Sequence, residues 1–268
     1  MGILQGITEF LPISSSGHLV IIKNLFGLKE PDLFFDVMVH FGTLVPILMV
    51  FKKDLLKIFR SLSTLSSQLL SRNHFKESLT GDIQVRLIGL IGIAIVPAVL
   101  IGFFFRDIFE QLFSSVFAVG VGLMLTGTLL LLTKFVSHHR KKIENMTFFD
   151  AALIGFSQAL AITPGISRSG ATISTALFLG VDRELAGRFS FLIFIPVIFG
   201  AMIANFKLPE LYSRFYLFNI LAATTAAAIT GYITLKTLLC FVHQGKLYIF
   251  SPYCYGVGLF AILYALLK

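Results

Sequence analysis

Six long apolar stretches dominate the hydrophobic pattern of this chain. A helix needs about 20 mostly apolar residues to cross a bilayer, and six stretches come close to that length. They cover residues 34–51, 84–105, 115–136, 186–206, 216–242 and 249–267. The pattern therefore predicts an all-α membrane protein with six transmembrane helices.

Two further apolar stretches are broken in the middle by small and polar residues. Residues 1–26 are interrupted at 12–17 (PISSSG), and residues 148–180 are interrupted at 164–170 (PGISRSG). Each half is too short to cross a bilayer, and non-helical backbone at membrane depth is tolerated only where protein or a water-filled cavity satisfies its polar groups. Both stretches are predicted to be re-entrant helix-loop-helix hairpins that face each other. An ordinary span with a kink is the alternative.

The two broken stretches resemble each other at a constant offset. The matching pairs are Gln5 and Gln158, Ile13 and Ile166, Ser14 and Ser167, Ser16 and Ser169, and Gly17 and Gly170. In each half a hairpin precedes three spans, and this odd number of crossings makes the second copy enter from the opposite side. The sequence therefore predicts an inverted repeat within a single integral membrane domain (1–268), with repeat 1 at about 1–136 and repeat 2 at about 148–268.

Basic residues in the predicted loops indicate the orientation. The loop at 52–83 contains Lys52, Lys53, Lys57, Arg60, Arg72 and Lys76, and the loop at 137–147 contains Arg140, Lys141 and Lys142. The loop at 106–114 contains only Arg106. Cytoplasmic loops are enriched in Lys and Arg, so the first two loops are predicted to be cytoplasmic. The first hairpin then enters from the extracytoplasmic side and the second from the cytoplasm, with His74, His138 and His139 as surface residues.

The composition supports the membrane class. Of the 268 residues 56% are hydrophobic and 13% charged, with a mean hydropathy of +0.87. The net charge of +8 is explained by cytoplasmic loops and anionic lipid headgroups, so no nucleic acid partner is expected. Cys240 and Cys254 lack a CxxC spacing and are expected to be buried, inert thiols. The first residues lack a basic region, so no cleaved signal peptide is expected.

The first hairpin concentrates groups that are costly in a membrane and are functional candidates for that reason. Gln5 and Glu9 are four residues apart and share one face of a helix. Their oxygens suit a hard cation such as Mg²⁺ or Ca²⁺. The three serines at 14–16 and the imidazole of His18 follow directly, which favours a catalytic role for His18. A hydrogen-bonded core histidine and serines that cap the next helix are the structural alternatives.

The second hairpin carries a guanidinium in a loop rich in small residues. Ser167, Arg168, Ser169 and Gly170 precede Thr172, and backbone N–H groups at the start of a helix favour an anion. A guanidinium matches the geometry of phosphate oxygens. The pattern predicts a site for a phosphorylated ligand between the hairpins, and a buried structural ion pair between Arg168 and Glu9 is the alternative.

Segments 5–18 (QGITEFLPISSSGH) and 164–172 (PGISRSGAT) closely resemble the signature regions of bacterial undecaprenyl-diphosphatase, the bacitracin-resistance family. Segments 40–43 (HFGT) and 189–191 (FSF), with Pro196, also resemble that family, so the likeness covers nearly the whole chain. It implies hydrolysis of undecaprenyl diphosphate to undecaprenyl phosphate and phosphate, which recycles the lipid carrier for peptidoglycan synthesis. It further implies a divalent metal and a multi-pass location in the bacterial inner membrane, with an extracytoplasmic active site. Bacitracin would act by sequestering the substrate.

The resemblance also implies roles for individual residues. Glu9, His18, Ser15 and Arg168 are the predicted catalytic residues; Ser14, Ser167, Arg168, Ser169, Gly170 and Thr172 are predicted to bind substrate; Glu9 and Gln5 are predicted to bind metal. The chain departs from the family pattern in three places: Gln5 replaces a frequent Glu, few apolar residues precede the first motif, and Tyr255 is followed by Gly256 where an Arg is common.

Several alternatives stay open at this stage. The nucleophile is His18, Ser15 or a water molecule. Membrane lipids are expected around the spans, and a homodimer is left open. A secondary transporter is the alternative function, because inverted repeats with paired hairpins are typical of transporters. A purely structural scaffold would leave Glu9, His18 and Arg168 unexplained at membrane depth.

Overall fold

A computed structural model describes residues 1–27, 33–69, 83–136, 141–205 and 214–268. This part of the chain is almost entirely α-helical. Its helices are α1 Gly2–Phe10, α2 Ser15–Leu25, α3 Leu33–Val50, α4 Lys52–Leu69, α5 Ile83–Phe104, α6 Arg106–Ser114, α7 Val116–Leu132, α8 Phe148–Leu160, α9 Arg168–Phe178, α10 Arg183–Asn205, α11 Arg214–Gln244 and α12 Ser251–Leu267.

Five helices in the described ranges are long and apolar enough to cross a membrane. They are Ile83–Phe104, Val116–Phe135, Arg183–Ala204, Tyr216–Gln244 and Leu247–Leu267. The sixth predicted span, 34–51, coincides with α3, which meets the same criteria only together with α4, across a bend of 80°. The chain is a multi-pass, all-α membrane protein, as its apolar pattern predicts.

Two segments that were predicted as loops contain helices. The segment predicted as a loop at 52–83 starts with α4, and the loop predicted at 106–114 is α6. Both segments combine charged residues with apolar ones at helical spacing, which suits a helix at a membrane interface. Of the other residues used for the orientation or expected at the surface, Lys141 and Lys142 are described, whereas Arg72, His74, Lys76, His138, His139 and Arg140 lie outside the described residues.

Both broken stretches form helix-loop-helix hairpins, α1–α2 and α8–α9. The breaks coincide with residues that cap the second helix of each pair. Ser14 accepts a hydrogen bond from the backbone N–H of Gly17, and Ser167 accepts one from Gly170. One of the three serines therefore does cap α2, as the structural alternative anticipated.

The hairpins pack against the opposite halves of the chain. Helix α1 lies against α11, and helix α8 lies against α5. Glycines make both contacts close: a Cβ added to Gly2 would collide with the backbone of Ala223, and one added to Gly155 would collide with the backbone of Ala94. Small residues permit this approach between membrane helices. The reciprocal packing supports the inverted repeat, whose boundaries stay a prediction.

We expect Gly155→Ala to destabilise the fold, because the methyl group has no room beside the Ala94 carbonyl. Overpacking of this kind costs about 1–3 kcal/mol. The measurement is the thermal unfolding midpoint in detergent, with Gly92→Ala as the matched control. Gly92 lies on α5, and no atom of the described neighbouring residues lies within 4 Å of an added Cβ. Equal midpoints for the two variants would contradict the close α5–α8 contact.

Candidate active site

The two hairpin loops hold each other through direct hydrogen bonds. The hydroxyl oxygen of Ser14 accepts from the backbone N–H of Gly165 at 3.1 Å as well as from Gly17 at 3.2 Å. In return, the Ser169 hydroxyl donates to the Phe10 carbonyl at 3.0 Å. Each loop thus satisfies polar backbone groups of the other, and the prediction that the hairpins face each other is confirmed.

Helix α7 also stabilises the loop of the second hairpin through hydrogen bonds. The Thr126 hydroxyl accepts from the Ser167 N–H at 3.0 Å and donates to the Gly165 carbonyl at 2.9 Å. Gly165 has a φ of 94°, which favours glycine, and a Cβ there would collide with the Val119 carbonyl of α7. Ser14 has a φ of 66°, an uncommon value for a residue with a side chain. Backbone strain of this kind clusters at functional sites.

The carboxylate of Glu9 contacts polar side chains of both hairpins. Within its own hairpin, Oε2 accepts from Nε2 of Gln5 at 3.0 Å and from the hydroxyl of Ser15 at 2.6 Å. Across the interface, Nη2 of Arg168 lies 3.3 Å from Oε1. Both charged side chains are buried, with 7% of the Glu9 side chain and 12% of the Arg168 side chain exposed.

The guanidinium of Arg168 is held by aromatic rings of α10. Its Cζ atom lies 3.3 Å from the ring centroid of Phe194 and 5.3 Å from that of Phe191. Such cation–π contacts stabilise a desolvated guanidinium. Within the described part of the chain, its Nε and Nη1 atoms are buried without a hydrogen-bond partner. The side chain therefore keeps donors available for an anionic ligand.

His18 has both ring nitrogens engaged elsewhere. Nδ1 lies 2.8 Å from the carbonyl oxygen of Ser14, and Nε2 lies 2.8 Å from the hydroxyl of Tyr253, whose ring stacks on the imidazole. A carbonyl only accepts, so Nδ1 carries the proton, and Nε2 of the neutral ring accepts from Tyr253. No hydrogen bond joins His18 to Glu9 or Arg168 among the residues described.

The other predicted substrate-binding hydroxyls mainly support the loop. Thr172 donates to the Arg168 carbonyl at 2.8 Å and is also hydrogen-bonded to Ser190. The Ser167 and Ser169 hydroxyls are 3.3 Å apart. The N–H of Gly170 is bonded to Ser167, whereas nothing in the described ranges accepts from the N–H groups of Arg168 and Ser169.

Further contacts of the site fall on residues without a predicted role, among them His40, Phe194 and Tyr253. Nε2 of His40 lies 3.9 Å from Oε2 of Glu9, and its Nδ1 donates to the Asp36 carbonyl at 2.7 Å. The ring of Phe194 covers Arg168, and Tyr253 pairs with His18. The segment 40–43 carried a family resemblance that pointed to His40. Phe194 and Tyr253 gave no signal among many aromatic residues.

The two cysteines take no part in the site. Cys254 is buried and donates to the Pro12 carbonyl at 3.6 Å, as expected of an inert thiol. The expectation that Cys240 is buried is wrong, because this residue lies on an outward face of α11. Both are free thiols.

Comparison with known proteins gives consistent matches. A family model described as bacitracin resistance protein BacA matches residues 1–260. A protein of Desulforapulum autotrophicum named undecaprenyl-diphosphatase is 44% identical over 98% of this chain and 95% of its own. Proteins with the same name from Halothermothrix orenii and Alkaliphilus metalliredigens are each 40% identical, over 99% and 100% of this chain and 96% and 97% of their own.

We expect Glu9→Gln to lower stability by about 3–5 kcal/mol, because it leaves the buried Arg168 charge unpaired. The double variant Glu9→Gln/Arg168→Met removes both charges and should recover much of that loss. Unfolding midpoints in detergent measure both effects. Arg106→Gln, which breaks the exposed pair with Glu110, is the control and should leave the midpoint unchanged. Strictly additive losses in the double variant would contradict the pairing.

Proposed function

This chain belongs to the bacitracin resistance protein BacA family, and on that premise we propose that it hydrolyses undecaprenyl diphosphate to undecaprenyl phosphate and phosphate. The activity is a phosphoric anhydride hydrolysis that recycles the lipid carrier for peptidoglycan synthesis. Cell wall biogenesis, the maintenance of cell shape and resistance to bacitracin follow from it.

One observation carries this proposal: the Glu9–Arg168 pair joins the two hairpins, while two buried donors of Arg168 have no hydrogen-bond partner among the described residues. A diphosphate placed at the guanidinium would accept from Nε and Nη1. It would also lie near the first N–H groups of α9, at the end of the helix that favours an anion. The predicted substrate site at 167–170 is therefore compatible with a terminal phosphate.

The contact between Ser15 and Glu9 favours Ser15 as the nucleophile. Its hydroxyl already donates to Oε2 at 2.6 Å, so the carboxylate is placed to accept the proton as the oxygen attacks the terminal phosphorus. A bond forms between Oγ and phosphorus, and the bond to the departing undecaprenyl phosphate breaks. Water then hydrolyses the phosphoserine and the proton returns to Ser15. Arg168 stabilises the charge on the phosphoryl oxygens throughout.

His18 has a different place in this scheme. Its bonds to Ser14 and Tyr253 hold the imidazole against the loop that carries Ser15. A role as nucleophile would require Nε2 to leave Tyr253, whereas Ser15 needs no such change. We assign His18 to positioning the first loop.

A divalent cation, Mg²⁺ or Ca²⁺, fits the donors around Glu9. Oε1 of Gln5 is buried with no hydrogen-bond partner in the described part of the chain, while Nε2 of the same side chain donates to Glu9. Mg²⁺ sites often use one or two carboxylates completed by substrate phosphates and water. No group of three or more His, Cys, Asp and Glu side chains is present in the described ranges, so the substrate would complete the coordination. When bound, the cation would neutralise charge on the diphosphate.

The proposed location is the bacterial cytoplasmic (inner) membrane, with the active site toward the extracytoplasmic side. The basic residues of α4 support this orientation through the positive-inside rule. Lipids would cover the apolar side chains exposed on the spans, and a homodimer is compatible with the same surfaces. Bacitracin would act on this system by sequestering the substrate. The names of the relatives give no support to the transporter alternative.

We expect the purified protein to release phosphate from undecaprenyl diphosphate in detergent with added Mg²⁺ or Ca²⁺. Arg168→Ala and Glu9→Ala should each lower kcat/KM by about 10³-fold or more, because transition-state charge loses its stabilisation. Ser15→Ala should lower kcat by at least about 10²-fold, with no phosphoenzyme trapped by acid quench.

Matched controls accompany these variants. Ser16→Ala removes a neighbouring hydroxyl that lies 3.3 Å from Ser14 rather than at Glu9, and Arg106→Ala removes an exposed charge. Both should keep near-normal turnover. Wild-type kcat in Arg168→Ala, provided that the protein is folded, would overturn the assignment of the site.

We expect Gln5→Glu to lower the Mg²⁺ or Ca²⁺ concentration that gives half-maximal activity, by about tenfold, because it adds a second carboxylate beside Glu9. Gln158→Glu is the matched control, since Gln158 occupies the equivalent position of the second hairpin, where Ile162 replaces the carboxylate. That variant should leave the metal dependence unchanged. An unaltered metal dependence in Gln5→Glu would contradict the proposed metal site.

A further inference from the structure

Helix α4 is an amphipathic helix with three distinct faces. After the 80° bend that follows α3, Leu55 and Ile58 pack against the core. The next face exposes two large apolar side chains, Leu56 at 55% and Phe59 at 67%. Because 100° separates consecutive residues, the third face lies beside it and presents exposed basic side chains, namely Lys53, Lys57 and Arg60.

The charge of α4 distinguishes it from α6, another short amphipathic helix of the described ranges. Residues 52–63 contain four basic residues and one acidic residue, Asp54. Helix α6 also exposes apolar side chains, including Ile108 and Phe113, but its charged residues are Arg106, Asp107 and Glu110. The two helices are separated by α5, which crosses the membrane between them. Of these two helices, α4 is the one that offers apolar anchors beside a basic face.

We propose that α4 is a binding surface for the headgroups of anionic membrane lipids. Leu56 and Phe59 enter the boundary of the acyl chains, while Lys53, Lys57 and Arg60 contact the lipid phosphates. An amphipathic helix with a basic face lies in the interface plane, and each basic residue near an anionic surface adds to its affinity. The occupant is the bilayer itself, because the apolar anchors and the basic face require acyl chains and phosphates side by side.

Contacts with α10 hold α4 in place on the side that faces the protein interior. Asp54 forms an ion pair with Arg188 of α10, with 19% and 27% of the side chains exposed. At the bend, the ring of Phe51 stacks on that of Phe191 at 5.8 Å between centroids. The helix is thus fixed by two contacts to α10 before any lipid binds, and its exposed faces are preorganised.

The absence of Trp from the chain permits a direct test. Phe59→Trp places a single reporter on α4, and the full-length variant is reconstituted in phosphatidylcholine bilayers with brominated phosphatidylglycerol or brominated phosphatidylcholine at equal mole fractions. Brominated phosphatidylglycerol should quench the reporter more strongly, with a relative association constant of about fivefold in its favour. In 1 M salt, where the Debye length is about 3 Å, the preference should fall.

Two controls decide the interpretation. Adding Lys53→Gln, Lys57→Gln and Arg60→Gln to the reporter variant should abolish the preference, and the unfolding midpoint is measured to confirm that this variant is folded. Phe113→Trp reports on α6 and should show equal quenching by both lipids. Equal quenching at position 59, a preference that survives the loss of the three basic residues, or the same preference at position 113 would each overturn the proposal. The test uses no enzymatic readout, so its outcome is independent of the proposed hydrolase activity.

Discussion

Broken helices inside a membrane must find partners for their free backbone groups, and here each hairpin loop finds them in the other. Ser14 accepts from Gly165, and Ser169 donates to Phe10, so neither loop is satisfied alone. The fixed separation of the two loops then brings Glu9 within reach of Arg168. The hydrogen bonds between the loops therefore have two effects. They satisfy backbone groups at membrane depth, and they place the side chains of Glu9 and Arg168 next to each other.

The buried Glu9–Arg168 pair accounts for the polar and aromatic residues that surround it. A buried carboxylate needs donors, which Gln5 and Ser15 supply, and a buried guanidinium needs both an anion and a polarisable surface, which Glu9 and Phe194 supply. Not every polar atom of this cluster is hydrogen-bonded: within the described ranges, two donors of Arg168 and one acceptor of Gln5 have no partner. An unsaturated polar cluster in an apolar setting is costly, and a ligand that completes it gains the corresponding affinity.

Sequence reasoning anticipated the parts of this arrangement that are encoded locally. Apolar length predicted the spans, and the broken stretches predicted the hairpins and the meeting of Glu9 with Arg168. The buried ion pair, weighed as a structural alternative, is present as well, so the two interpretations are compatible. The segment at 52–83 was predicted as a loop from its basic residues, and the helix at its start was missed although apolar and charged residues recur there at helical spacing. His40 and Tyr253 reach the site from distant elements, and no local pattern reports such tertiary contacts.

The partnership of Glu9 with Arg168 has a consequence for biogenesis. Glu9 precedes Arg168 in the sequence, so during translation its guanidinium partner emerges only after the intervening spans have been made. Until then the first hairpin contains an uncompensated acid and a loop with unmet backbone groups, a combination that hydrocarbon disfavours. The first hairpin would therefore stay near the membrane surface or the insertion machinery at first. It would reach its final depth in the membrane late in assembly.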